Sequence, residues 1–173
     1  LVNLTIPFAS FAVDNKEDTQ ARAFTDSNDG KYAYGIAYLF GTPDDSVRDK
    51  FGDYTPYYMN FESGNTVMDN NTICIPISLT NLTVLGGNII KKCFASMLNL
   101  QSVIIKGQSS IGQQAFIKCS SLKEVRIENG KSTFGRAVFA DCSDMTIYVA
   151  NDEQKSTLDG QISSLTNVTC TVA

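Results

Sequence analysis

Residues 110–127 read SIGQQAFIKCSSLKEVRI. The stretch recurs. One step upstream, residues 89–105 read IIKKCFASMLNLQSVII; one step downstream, residues 133–149 read TFGRAVFADCSDMTIYV. Phe94, Phe116 and Phe139 stand 22 and 23 residues apart, and Met97, Cys119 and Cys142 keep the same steps, as do Leu100, Leu122 and Met145. Self-similarity at such a period marks a stack of repeat units. One unit cannot bury its own apolar side, so neighbours bury it jointly.

The second half of each unit is a strand signal. In Leu122-x-x-Val125-x-Ile127, Val and Ile are two apart and face one way. Leu100-x-x-Val103-x-Ile105, Leu79-x-x-Leu82-x-Val84 and Leu165-x-x-Val168-x-Cys170 match it, and Leu1-x-x-Leu4-x-Ile6 opens the chain before Pro7. The Met145 unit is one residue short, with Ile147 and Val149 as its inward pair. Strands that recur at one point of each unit must lie parallel. The first half reads as a short helical or 3₁₀ turn, because Ile111, Ala115, Phe116 and Cys119 fall at i, i+4, i+5 and i+8.

The ordered pattern Ile111, Gly112, Ala115, Phe116, Cys119, Leu122, Val125, Ile127 resembles the BspA-type leucine-rich repeat family, most clearly over residues 79–149 and more weakly to residue 173. The resemblance implies an α/β solenoid: a parallel β-sheet on one face, short helical or 3₁₀ turns on the other, and one long irregular unit near the N-terminus. It also implies an extracellular bacterial surface protein that works by adhesion or protein binding.

Composition agrees with a folded chain. With 173 residues, 43% hydrophobic and 18% charged, there is enough for one domain with a substantial core. No apolar run approaches the ~18 residues of a membrane span, and residues 1–13 lack the basic start of a signal peptide. The chain begins inside a repeat, which suggests a piece of something longer, with any export signal outside it. Residues 1–78 carry 5 basic and 11 acidic groups, and residues 79–173 carry 9 and 7. No basic stripe is present to bind phosphates, so nucleic acid is not an expected partner. The cysteines Cys74, Cys93, Cys119, Cys142 and Cys170 form no C-x-x-C pair and His is absent, so no zinc site is expected. Cys119 and Cys142 share one repeat position. They read as stacked, reduced thiols, with a disulfide between neighbouring units as the alternative.

Residues 1–173 read as a single repeat domain with four parts: an opening strand at 1–7, a long variant unit at 8–78, regular repeats at 79–150 and a C-terminal capping repeat at 151–173. A small independent domain is the alternative for 8–78. Residues 26–30, DSNDG, are one residue short of a calcium loop and read as a surface turn. Residues 34–41 suggest a short helix ended by Gly41, and Thr42-Pro43 a second start running to Phe51. Residues 57–61 and 66–68 suggest a hairpin about Ser63-Gly64-Asn65, and residues 71–77 a strand interrupted by Pro76. Near the C-terminus, Asn151 or Asp152 caps a predicted helix over 151–162, and a strand over 168–172 closes the stack.

Little here suits catalysis. Without His there is no Ser-His-Asp or Cys-His arrangement. Glu124 and Glu128, four residues apart on one strand, are ~13 Å apart by strand rise, beyond the reach of a glycosidase pair; Asp44 and Asp45 point different ways. No cofactor is implied. The binding residues are expected on the outward strand positions. One ladder reads Thr83, Ile104, Arg126, Tyr148, Thr169, and its neighbour Asn81, Ser102, Glu124, Thr146, Asn167. Arg and Tyr favour binding hot spots, so Arg126 and Tyr148 lead, with Glu124, Ile104 and Thr83 beside them. Tyr57 and Tyr58, beside Asp53 and Tyr54, form a rival site for a sugar or a peptide. Asn-x-Thr triplets at Asn3, Asn70, Asn81 and Asn167 carry glycans only in a secreted eukaryotic protein; Asn81 and Asn167 share a repeat position in this reading. The expected partner is a protein. A carbohydrate-recognition module and a structural spacer are the alternatives.

Overall fold

The period-2 alternation of each LxxVxI segment becomes a strand of one sheet. A computed structural model describes residues 2–7, 10–12, 32–34, 54–58, 72–76, 78–89 and 91–173. Strands β1 (Asn3–Ile6), β6 (Asn81–Val84), β8 (Ser102–Ile105), β10 (Glu124–Ile127), β12 (Met145–Val149) and β13 (Val168–Val172) form a six-stranded parallel sheet in that order. Leu82, Val103, Val125, Ile147 and Cys170 stand in register and are buried, with Leu4 half-buried at one end. Val84, Ile105, Ile127 and Val149 form a second buried ladder, which Ile6 begins and the more exposed Val172 ends. Although Leu4 and Leu82 are far apart in sequence, β1 lies directly beside β6. The chain therefore leaves this sheet after Ile6 and returns to the neighbouring position.

A second sheet, absent from the sequence reading, has the order β11-β9-β7-β2-β3. Here β7 (Gly87–Ile89), β9 (Ser109–Ile111) and β11 (Thr133–Phe134) pair parallel, one from each regular unit. β2 (Ser10–Ala12) pairs antiparallel with β7 and with β3 (Tyr32–Tyr34). The three parallel strands are two or three residues long, each with a single large apolar residue, Ile89, Ile111 or Phe134. A run that short shows no alternation.

The segments around the phenylalanines correct the expectation of helical or 3₁₀ turns. Residues 91–96, 113–118 and 136–141 are turns, each carrying two left-handed residues four apart: Lys92 and Ser96, Gln114 and Lys118, Ala137 and Asp141, all with φ between 52° and 61°. An α-helix needs consecutive right-handed residues and bonds its own N–H groups to C=O four residues back. Here alternate N–H groups reach the next unit instead, while Ala95, Ile117 and Ala140 close isolated turns onto the carbonyl three residues back. Lys92, Phe94 and Ser96 donate to the carbonyls of Gln113, Ala115 and Ile117 at 3.0, 2.8 and 2.7 Å, and Gln114, Phe116 and Lys118 to those of Arg136, Val138 and Ala140 at 3.0, 2.9 and 2.9 Å. The left-handed residues turn alternate amides outward to make this ladder.

Inside it the phenylalanines stack as the period predicts. Phe94 and Phe116 have ring centroids 5.2 Å apart, Phe116 and Phe139 5.7 Å, with interplanar angles of 15° and 13°. All three are buried. The thiols beside them are reduced and buried: Cys119 Sγ donates to Phe94 O and Cys142 Sγ to Phe116 O, both at 3.2 Å. Burial pushes the Cys119 thiol far up, and the Cys142 thiol up to about 11. A neutral thiol that donates to a carbonyl is a small hydrophobe with one satisfied proton.

After β12 comes the helix α1 (Asp152–Ile162). Asn151 is its N-cap, in extended backbone, and its side chain accepts from Gln154 N at 2.9 Å. The helix presents two carboxamides to the open backbone ladder. Gln161 Oε1 accepts from Val138 N at 3.2 Å and its Nε2 donates to Gly135 O at 2.8 Å. The buried Gln154 accepts from Ala150 N and donates to the carbonyls of Asn129 and Ser132. A carboxamide carries the same donor and acceptor as a peptide, so each Gln supplies what another unit's backbone would have supplied.

Between β3 and β6, β4 (Tyr54–Tyr58) pairs antiparallel with β5 (Thr72–Pro76). β4 overlaps the first arm of the expected hairpin but pairs with the run expected as a strand over 71–77; the expected turn at 63–65 and second arm at 66–68 lie outside the described residues. Pro76 ends the strand, where its missing N–H costs least. Tyr34, expected to open a helix, ends β3. The remainder of that expected helix, the helix start at Thr42 and the 26–30 turn lie outside the described residues.

Candidate functional site

Strand alternation that turns Val and Ile inward must turn the intervening residues outward. On the six-stranded sheet these form two ladders. One is Thr5, Thr83, Ile104, Arg126, Tyr148, Thr171; the other is Asn3, Asn81, Ser102, Glu124, Thr146, Thr169. Thr83, Ile104, Glu124, Arg126 and Tyr148 stand on the strand positions where their spacing places them, and all are half-buried.

The last strand corrects the register. Thr171, not Thr169, follows Tyr148, and Thr169, not Asn167, follows Thr146. The Leu165-x-x-Val168-x-Cys170 match had aligned Cys170 with Ile127, whereas Cys170 continues the ladder of Val125 and Ile147. A slip of two residues keeps the same face, so alternation alone cannot reveal it. The 23-residue step from Phe116 to Phe139, applied again from Met145 to Val168, gives the observed pairing.

The same register separates the Asn-x-Thr triplets. Asn81 pairs with Asn3, and its Nδ2 donates to Asn3 Oδ1 at 2.8 Å. Asn167 does not share that position. It is left-handed (φ 52°) and its Nδ2 donates to Asp144 Oδ1 at 2.9 Å, beside Asp144's own left-handed backbone (φ 53°). Asn and Asp tolerate that conformation better than most residues. The Asn167 amide, with help from the Ser143 hydroxyl, holds the Asp144 carboxyl below the usual range.

Midway along the face, three of the sequence-predicted residues form one cluster. Arg126 and Tyr148 are direct cross-strand partners, and the guanidinium carbon lies 4.2 Å from the Tyr148 ring centroid. Arg126 Nε donates to Glu124 Oε1 at 2.6 Å, from the residue two earlier on the same face. That bond, above all, raises the guanidinium's proton affinity further. Ile104 stands on the other side of Arg126, across the β10–β8 pairing. The cluster can present an oriented cation beside an apolar side chain.

Tyr57 and Tyr58 sit in β4 opposite Ile73 and Thr72; their side chains lie outside the described residues. Asp44, Asp45, Asp53 and Asn70 lie outside them too. Among the described residues, no group of three or more His, Cys, Asp or Glu side chains is placed to hold a metal, and no helix is long and apolar enough to cross a membrane.

No curated protein and no solved structure matches the chain. A family description does. BspA type Leucine rich repeat region, in 6 copies, covers residues 60–170. It spans well over half the chain and all the regular units whose parallel strands and stacked phenylalanines are described above, and the chain accordingly belongs to the BspA-type leucine-rich repeat family.

Proposed function

We propose that this chain is a non-catalytic protein-binding module, an adhesion element of an extracellular bacterial surface protein, and that it docks partners through the outward face of its six-stranded sheet. In this reading the repeat units continue as one solenoid from residue 1 to residue 173. Residues 8–78 are an elaborated unit, and 151–173 are the cap. The return of the chain from β1 to β6 in the same parallel sheet supports the first point, and the two glutamines of α1 support the second. Repeat proteins use such extended strand faces for binding, and membership of the family supports a repeat module of this kind.

The observation that carries the reading is the Glu124–Arg126–Tyr148 cluster. A flexible Arg loses rotamer entropy when it docks. This one is already held on two sides, as an interface hot spot should be. The test is surface plasmon resonance against purified extracellular-matrix proteins, run beside a glycan array. Arg126→Ala and Tyr148→Ala are compared with Tyr57→Ala and Tyr58→Ala, with circular dichroism confirming each fold. Loss of a protein ligand with the first pair supports the strand face. Loss with the second pair alone moves the site to the long unit. Glycans as the only ligands make the chain a carbohydrate module, and no ligand at all makes it a spacer.

A further inference from the structure

We infer that the outward face selects protein partners that present a carboxylate next to an apolar side chain, and that Arg126 reads the carboxylate through the open fork of its guanidinium. The inference rests on the proposed docking face and adds what that face recognises.

Three observations converge on it. First, among the described residues, Nε makes the guanidinium's one hydrogen bond, to Glu124. The Nη1 and Nη2 donors on the other edges of the plane remain for a ligand. Two parallel N–H groups match the two oxygens of a carboxylate, and a bidentate pair of this kind is both stronger and more directional than a single contact. Second, the plane is oriented before any ligand arrives, by Glu124 from one strand and the Tyr148 ring from the next. Third, Ile104 stands beside Arg126 on the neighbouring strand, an apolar side chain on a face whose other members are Thr, Asn and Ser and the Glu124–Arg126–Tyr148 cluster itself. A ligand that spans β8 and β10 therefore meets one apolar and one cationic position side by side.

The same geometry argues against a sugar. A sugar ring would stack on the open face of Tyr148, and the Arg126 guanidinium already covers a face of that ring at 4.2 Å. Local charge argues against a general attraction for anions. Glu124 pairs with Arg126, and Glu128 also bears on it. One guanidinium thus faces two carboxylates, so recognition has to come from the shape of the fork and not from excess positive charge. That makes the Arg-to-Lys substitution decisive, because Lys keeps the charge and lacks the fork.

The experiment pans a display library of random 12-residue peptides on the full chain, then measures the affinity of enriched synthetic peptides for variants whose circular dichroism matches that of the parent. The expected result is enrichment of Asp or Glu beside an apolar residue. Affinity should fall at least tenfold in Arg126→Lys and in Arg126→Ala, and severalfold in Ile104→Thr. Tyr148→Phe keeps the ring and should bind as the parent does, whereas Tyr148→Ala loosens the guanidinium and should lose affinity. Acidic peptides that bind Arg126→Lys as well as the parent would overturn the fork. Enriched peptides without acids that still depend on Arg126 and Tyr148 would overturn the ligand chemistry and leave the docking face standing. Enriched peptides indifferent to Ile104, Arg126 and Tyr148 alike would overturn the inference and the docking face together. An absence of enrichment, or Arg126-dependent binding only to sulfated oligosaccharides run in parallel, would also overturn it.

Discussion

The two faces of the six-stranded sheet are built from the same strands and obey opposite rules. The inward ladder Leu82, Val103, Val125, Ile147 repeats one kind of side chain, all buried. The outward ladder repeats Thr from Thr5 to Thr83 and then changes chemistry at each step through Ile104, Arg126, Tyr148 and Thr171. A repeating core follows from stacking, since each unit must fill the same space against its neighbour. Nothing in the packing demands variety on the other side. The face that varies from unit to unit is the one free to carry recognition.

The largest effect should come from the phenylalanine ladder. Phe116→Ala removes the middle ring of a stacked, buried triplet and should cost about 3–5 kcal/mol in urea unfolding, as core Phe truncations do. A loss below about 1 kcal/mol would show that the repeat is not held by this ladder. Next comes the C-terminal helix α1. Gln154→Ala strands the Ala150 amide and the Asn129 and Ser132 carbonyls, and the loss should be about 1–3 kcal/mol. Hydrogen exchange should localise the new openings to residues near these groups. Uniform loosening across all units would mean that α1 does not act as the end of the ladder. Asn151→Ala removes one N-cap bond and should cost about 1 kcal/mol, with Asn151→Ser restoring most of it.

The thiols sharpen the same contrast through pH. The Cys142 thiol is raised from 9.0 to about 11 by burial, so the folded state prefers the protonated form. Its contribution is complete below pH 9.0, where the thiol is protonated in the unfolded chain too, and is lost as pH rises toward 11. In that window the folded state binds more protons than the unfolded, and stability falls with pH. Cys119, raised in the same direction, adds to the slope. Alkylation by iodoacetamide at pH 8, mapped by mass spectrometry, should leave Cys119 and Cys142 unmodified in the folded chain and label both in urea. Fast labelling of the folded chain would contradict their burial. The smallest effect belongs to the outward face, where Arg126→Ala should leave the urea unfolding midpoint nearly unchanged, because exposed ion pairs and cation–π contacts contribute little.

How legible this was in the sequence depended on how each element is held. The Val and Ile pairs and the phenylalanines were readable, because stacking imposes one side-chain type at one spacing. The Asn151 cap and α1 were readable from local chemistry. The second sheet was not, since strands as short as Thr133–Phe134 are defined by pairing with a neighbour rather than by their own pattern. The turn segments misled for a related reason. Ile111, Ala115, Phe116 and Cys119 keep helical spacing, yet left-handed Gln114 and Lys118 send the amides to the next unit. Within the site, spacing put Arg126 and Tyr148 on one ladder, but the ion pair with Glu124 and the stacking on the Tyr148 ring depend on rotamers that spacing does not encode.

The central claim is that the inward face holds the fold and the outward face is free to vary. The most direct measurement is urea unfolding of the triple variant Ile104→Thr, Arg126→Thr, Tyr148→Thr beside Phe116→Ala. Threonine keeps strand propensity while erasing the cluster. The account predicts a cooperative transition for the triple variant with a loss of no more than about 2 kcal/mol, the sum of a few exposed cross-strand contacts, and clearly less than that of Phe116→Ala alone. A triple variant that is unfolded, or that loses as much as Phe116→Ala, would show that the outward residues hold the sheet together and that the division between the two faces is wrong.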